Sequence, residues 1–181
     1  MRIVSVWSRL PTPHRRWIIL RALLATAVFN VIITGTIAWL SVRGQETVPL
    51  WGVPLTETST SWNVVGTLFL LPLITCALTT LAIRREVRLG SLTSVSHLRA
   101  SYRWLAVLPS AHLHRGLAIG AIAVAALAPP LILTLIVVGF PELTKEQFVA
   151  WQTVFAVTLG ALVTPVVALY AMADLPVHRD S

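Results

Sequence analysis

The chain has 181 residues, 56 % of them hydrophobic and only 12 % charged, with a net charge of +7. A soluble domain carries about 25 % charged residues, so this composition argues against a water-facing globular fold. It also argues against a nucleic-acid surface, because the basic residues flank apolar runs instead of lining one face.

Four windows hold no Asp, Glu, Lys or Arg: 22–42, 62–83, 116–139 and 148–172. A hydrocarbon core about 30 Å thick needs about 20 apolar residues at about 1.5 Å each, so each window predicts one transmembrane helix. The fold class is therefore all-α: a polytopic membrane protein, a four-transmembrane-helix bundle with a basic amphipathic helix, in a single membrane domain over 1–181. Ahead of the first window, Pro11 and Pro13 argue against one continuous helix over 7–17. The first apolar run is longer than the about 7–15 residues of a signal-peptide core, and no small-x-small site follows it. It reads as a retained first helix.

After the first window, Pro49 and Pro54 bracket Leu50, Trp51 and Gly52. Such a segment cannot be helical throughout and is expected to fold back on the membrane surface with Trp51 at the interface. The Thr/Ser-rich run 56–61 supplies N-cap residues for helix two. Past the second window, Leu92, Val95, Leu98, Tyr102, Leu105 and Leu108 recur every three or four residues, with Arg99 and Arg103 on another face. This pattern predicts an interfacial helix over about 92–108, ended by Pro109. Before the fourth window, Thr144 and Gln147 fit a capping box. Shifting the chain by 94 residues places Arg21 on Arg115, Leu23 on Leu117 and Ala27 on Ala121. Two parallel helical hairpins would give such matches, and so would chance in Leu/Ala-rich helices.

The basic residues are lopsided. Arg2, Arg9, Arg15, Arg16 and Arg21 precede helix one, and Arg84, Arg85, Arg88, Arg99, Arg103 and Arg115 lie between helices two and three. With Arg179 in the tail, only Arg43 and Lys145 remain for the two acidic loops. Basic short loops stay inside, so both termini and the 84–115 loop are expected in the cytoplasm, facing anionic lipids. Trp39, Trp51, Trp62 and Trp151 fall at the opposite boundary and Trp17 at the inner one, as in an aromatic belt.

Lipid gives no hydrophobic drive between helices, so small residues and hydrogen bonds must hold the bundle. The candidate intramembrane polar and packing residues are Asn30 and Thr34 in helix one and Asn63, Thr67, Pro72 and Thr75 in helix two. Helix three contributes Gly116 and Gly120 of a GxxxG, and helix four Gly160 and Thr164. Asn30 lies near mid-helix, where an unpaired amide costs several kcal/mol. It makes either an interhelical hydrogen bond or a contact in a solute path. Pro72, Pro129 and Pro130 near mid-membrane, and Pro165 in the inner half, kink their helices; they either shape the packing or open a cavity. The glycine motif serves either this bundle or a homodimer.

Catalytic chemistry is not indicated. The windows lack His as well as charge, so proton relays and carboxylate-held ion sites miss their usual parts. Cys76, the single cysteine, reads as inert. His112 and His114, with His97 upstream, read as interfacial, a metal site being the less favoured alternative. No phosphate loop, GxSxG or HExxH occurs. No catalytic, cofactor or metal residue is named.

One resemblance bears on location. The pattern Phe29-Asn30, Gly35, Ala38-Trp39, then Val48-Pro49-Leu50-Trp51-Gly52, then the run from Phe69 to Cys76 with Arg84-Arg85 and Gly90, resembles uncharacterised bacterial four-span inner-membrane proteins. So does the ending Leu162-Val163-Thr164-Pro165, Ala168-Leu169 and Ala173-Asp174. The resemblance implies the bacterial cytoplasmic (inner) membrane and no activity. The first expectation is a non-enzymatic accessory or assembly subunit, or a homo-oligomer, working through helix packing. The alternative is an oligomeric small-solute transporter or channel.

Overall fold

The computed structural model describes residues 10–52, 58–92, 107–109, 111–139 and 141–174. Each charge-free window lies within one helix, except that Gly139 closes its helix in the left-handed conformation (φ 78°), which glycine adopts without steric cost. The helices are α1 (Thr12–Val42), α2 (Thr60–Arg88), α3 (His112–Val138) and α4 (Lys145–Ala173), all long and apolar enough to cross a membrane. They run past the windows because charged side chains such as Arg15, Arg16 and Arg88 are tolerated where a helix leaves hydrocarbon. Two strands complete the described fold, β1 (Thr47–Pro49) and β2 (Glu142–Thr144).

Helix α1 begins at Thr12, past the first of the two prolines, so 7–17 is not one continuous helix. Pro11 is its N-cap and Pro13 lies in its first turn, where a missing N–H breaks no helical hydrogen bond. The prolines therefore mark a start, not an interruption. Two stretches of α1, Trp17–Leu23 and Asn30–Thr34, are π-helical. The starts of α2 and α4 follow the sequence closely. Ser59 Oγ accepts from Trp62 N, and Thr144 and Gln147 form the full capping box, at 3.3 and 3.0 Å.

The helices form a bundle whose principal contacts run α1–α4–α2–α3. Glycines set two of these contacts. A Cβ on Gly116 would lie 2.8 Å from Leu73 Cα, and one on Gly120 2.7 Å from Phe69 O, so the GxxxG brings the α2 and α3 backbones together. A Cβ on Gly160 would lie 2.4 Å from Asn30 Nδ2 and 3.0 Å from Thr26 Cγ2, which fits α1 to α4. Between α2 and α4 the core is Val64, Leu68 and Leu71 against Ala156, Leu159 and Val163. Helices α2 and α4 are accordingly the buried pair, and α1 and α3 flank them.

The two loops at one end are stitched together. Strands β1 and β2 pair antiparallel, with Thr47 opposite Thr144, Val48 opposite Leu143 and Pro49 opposite Glu142. Val48 and Leu143 are buried with Ala38, Val42 and Phe148. Chain that was expected to lie on the membrane surface thus enters this clasp as far as Leu50, whose N–H donates to Pro141 O. Trp51 is 56 % exposed. At the arginine-rich end, Leu10, Trp17, Ile18 and Leu92 pack on Leu169 and Met172. Trp17, expected at the inner boundary, packs into the core at this arginine-rich end and is only 8 % exposed. Of the expected 92–108 helix, residues 93–106 lie outside the described residues.

Candidate functional site

Helices α1 and α2 are both held by neighbours other than each other, and between them runs a lateral groove of about 630 Å³ floored by Gln152 of α4. It extends from Trp17, Arg21 and Glu86 at the arginine-rich end to Ala38, Trp62 and Asn63 near the clasp. Its rims are exposed, as Ile33, Ile37, Leu70 and Leu78 show, so it opens sideways toward lipid.

Five of the residues singled out in the sequence line this groove: Asn30, Thr34, Asn63, Thr67 and Thr75. The other five serve packing. Pro72 is buried within α2, Gly116 and Gly120 lie at the α2–α3 contact, and Gly160 lies at α1–α4. Thr164 Oγ1 donates to Thr26 Oγ1 at 3.3 Å. Asn30 resolves its two readings partly in favour of structure. Its Nδ2 donates to Ala156 O at 3.0 Å across the α1–α4 contact, yet the residue also borders the groove. Asn63 Nδ2 donates within its own helix turn to Ser59 O.

Gln152 is the polar lining residue that the sequence reading passed over. It is 3 % exposed, and its Nε2 donates to Thr67 Oγ1. Its Oε1 has no hydrogen-bond partner among the described residues. Turning the amide would exchange the two atoms and leave the same deficit. The signal was available, since Gln152, like Asn30, is a carboxamide inside a charge-free window.

The charged residues that line the groove, Arg21 and Glu86, lie at its arginine-rich end. Arg21 Nη1 donates to Glu86 Oε1 at 2.9 Å, with the arginine side chain 67 % exposed and the glutamate 18 %. Arg115 is 1 % exposed. It pairs with Asp174, donates from Nε to Pro109 O at 3.1 Å and stacks over Tyr170 at 5.2 Å. This latch joins the start of α3 to the end of α4 and lies apart from the groove. Among the described residues no three His, Cys, Asp or Glu side chains gather as a metal site; His97 lies outside them.

No family model, no curated protein and no solved structure matches this chain. Four apolar helices of spanning length, with neutral polar side chains turned between them, define a multi-pass integral membrane protein.

Proposed function

We propose that this is a non-enzymatic accessory or assembly subunit of the bacterial inner membrane, with both termini cytoplasmic, that works by lateral association with other membrane proteins. The observation that carries this reading is the open order α1–α4–α2–α3. Each flanking helix has one principal helical neighbour and presents apolar side chains outward, among them Leu20, Leu24 and Ile32 on α1 and Ile122, Leu133 and Val137 on α3. Such faces accept further helices at no desolvation penalty, because lipid tails are as apolar as leucine. The arginine asymmetry and the family resemblance support the orientation and the membrane assigned. Extraction from the native membrane without detergent, followed by native mass measurement, tests the role. Companion chains or a multimer are expected; a bare monomer at native expression level overturns it.

A second reading, an oligomeric small-solute pathway, is favoured by the polar groove lining alone. Asn30→Cys and Thr75→Cys, each in a Cys76→Ser background, distinguish the two. Labelling by a membrane-impermeant thiol reagent supports a watered path, and protection supports the assembly role.

A further inference from the structure

The groove's lining differs from the outward face of α3. That face carries Ile122, Leu133, Ile136 and Val137, side chains that any apolar neighbour satisfies. The groove instead carries Ala25, Gly66 and Ala82 among its small residues and Asn30, Thr75 and Thr79 among its polar ones. A Cβ on Gly66 would meet nothing within 4 Å, so the α2 backbone is open to close approach there. Small residues and hydroxyls are what transmembrane helices present to one another.

Some of these polar groups lack a partner. Thr75 and Thr79 are each 7 % exposed, and neither hydroxyl makes a hydrogen bond among the described residues. The Oγ1 of Thr80 is sealed within the bundle, whereas those of Thr75 and Thr79 open onto the groove. On the α1 wall, Asn30 spends its Nδ2 on Ala156 O, and its Oδ1 has no partner among the described residues. An unpaired hydroxyl or amide facing hydrocarbon is costly. An acyl chain brings neither donor nor acceptor, and it covers one leaflet, about 15 Å. The groove runs along α1 from Trp17 to Ala38, about 32 Å at about 1.5 Å per residue, the whole hydrocarbon core. Its open side, rimmed by Ile33, Ile37, Leu70 and Leu78, would set a water column directly against lipid tails. A transmembrane helix spans the core, packs on small residues and can bring a side chain that bonds.

We propose that the α1–α2 groove is the docking site for one transmembrane helix of a partner protein, uncharged through its span and bearing a Ser, Thr, Asn or Gln side chain near mid-membrane. The helix packs against Gly66 and Ala25, and its polar side chain bonds the Thr75 and Thr79 hydroxyls and the Asn30 carboxamide. It is uncharged because the charged lining residues, Arg21 and Glu86, stand only at the arginine-rich end. This inference rests on the assembly role and names the surface that performs it.

A photoreactive benzoylphenylalanine in place of Ile74, which lines the groove, irradiated in native membranes, tests the site. One discrete protein adduct is expected. Thr75→Val combined with Thr79→Val keeps the shape and removes both hydroxyls. It should lower the adduct yield about fivefold to tenfold, two interhelical hydrogen bonds at about threefold each. It should leave the unfolding temperature of the purified chain in detergent unchanged, since neither hydroxyl has a partner within the chain; a merely structural role would lower it. Gly66→Leu should abolish the adduct. An adduct that survives either change overturns the proposal, and an adduct of two copies of this chain replaces the partner by self-association. Lipid adducts alone overturn it too, and the assembly role then stands if companion chains still co-extract, whereas a bare monomer removes both. Labelling of Thr75→Cys, in a Cys76→Ser background, by a membrane-impermeant thiol reagent also overturns it, because it marks a watered path.

Discussion

Replacing Gly120 by alanine and Gly66 by alanine adds the same methyl group to two membrane helices, and the two changes should have opposite signs. At Gly120 the new carbon would lie 2.7 Å from Phe69 O and 3.3 Å from Phe69 Cα. Ordinary contact begins near 3.4 Å, so α3 must retreat from α2 backbone by about 0.7 Å. Overpacking of this kind costs about 1–3 kcal/mol, offset by about 1 kcal/mol of helix propensity gained on removing a glycine. The net destabilisation is about 0–2 kcal/mol, centred near about 1 kcal/mol. At Gly66 nothing lies within 4 Å, so only the propensity gain remains, about 0.5–1 kcal/mol. For a chain of this size about 1 kcal/mol moves the midpoint by about 2–4 °C. The thermal unfolding midpoint in detergent, followed by tryptophan fluorescence, should therefore fall by about 2–4 °C for Gly120→Ala and rise by about 1–4 °C for Gly66→Ala. Shifts of the same sign, or a Gly120→Ala protein as stable as the parent, would refute the close α2–α3 contact.

Three further outcomes follow from the packing. Gly160→Ala should displace the Asn30 amide, whose Nδ2 stands 2.4 Å from the added carbon. Combining it with Asn30→Ala should then cost less than the sum of the singles by about 0.5–2 kcal/mol in a double-mutant cycle, whereas strict additivity would contradict the contact. Arg115→Met removes the ion pair to Asp174 and the stack over Tyr170 and should destabilise by about 3 kcal/mol. Adding Asp174→Asn should recover part of that loss, and Arg115→Lys should cost less than Arg115→Met but not match the parent, since a point charge cannot reproduce the planar stack over Tyr170. In a Cys76→Ser background, Val48→Cys with Leu143→Cys should form an intrachain disulfide on mild oxidation, because directly opposed antiparallel residues lie within bridging distance. Free-thiol counting reads the bond, and preferential bridging of Val48→Cys with Glu142→Cys would instead show the register to be slipped by one.

What the sequence revealed about this fold was set by the solvent. Lipid forbids unpaired backbone and tolerates few charges, so the absence of Asp, Glu, Lys and Arg over 62–83 or 148–172 marks a helix with little ambiguity, and the cap chemistry at Ser59 and Thr144 trims its start. Helix partnership was not legible. Gly116 and Gly120 announce a close approach, but the same pattern suits any smooth facing surface, and only the structure directs it to Phe69 and Leu73 of α2. The clasp was missed because three residues display no periodicity, and Pro49 reads as a turn. Arg115 read as a boundary marker, since a buried arginine and an interfacial one look alike until Asp174 and Tyr170, about 60 residues away, are brought beside it. The groove was half visible. Asn30, Thr34, Asn63 and Thr67 stand out as polar residues inside charge-free windows, but the separation of α1 from α2 depends on both packing against α4.

The order in which the chain is made gives the clasp a temporal meaning. Val48 leaves the ribosome about 95 residues before Leu143, an interval of about 5–20 s at ordinary elongation rates. Helix α1 waits at least as long for α4, so the Asn30 carboxamide must spend those seconds in the bilayer before the Ala156 carbonyl arrives. The first hairpin is thus a resident of the membrane long before it is part of a protein, and whatever shelters Asn30 in that interval, water, lipid headgroup or insertion machinery, sees a surface that the mature molecule has closed.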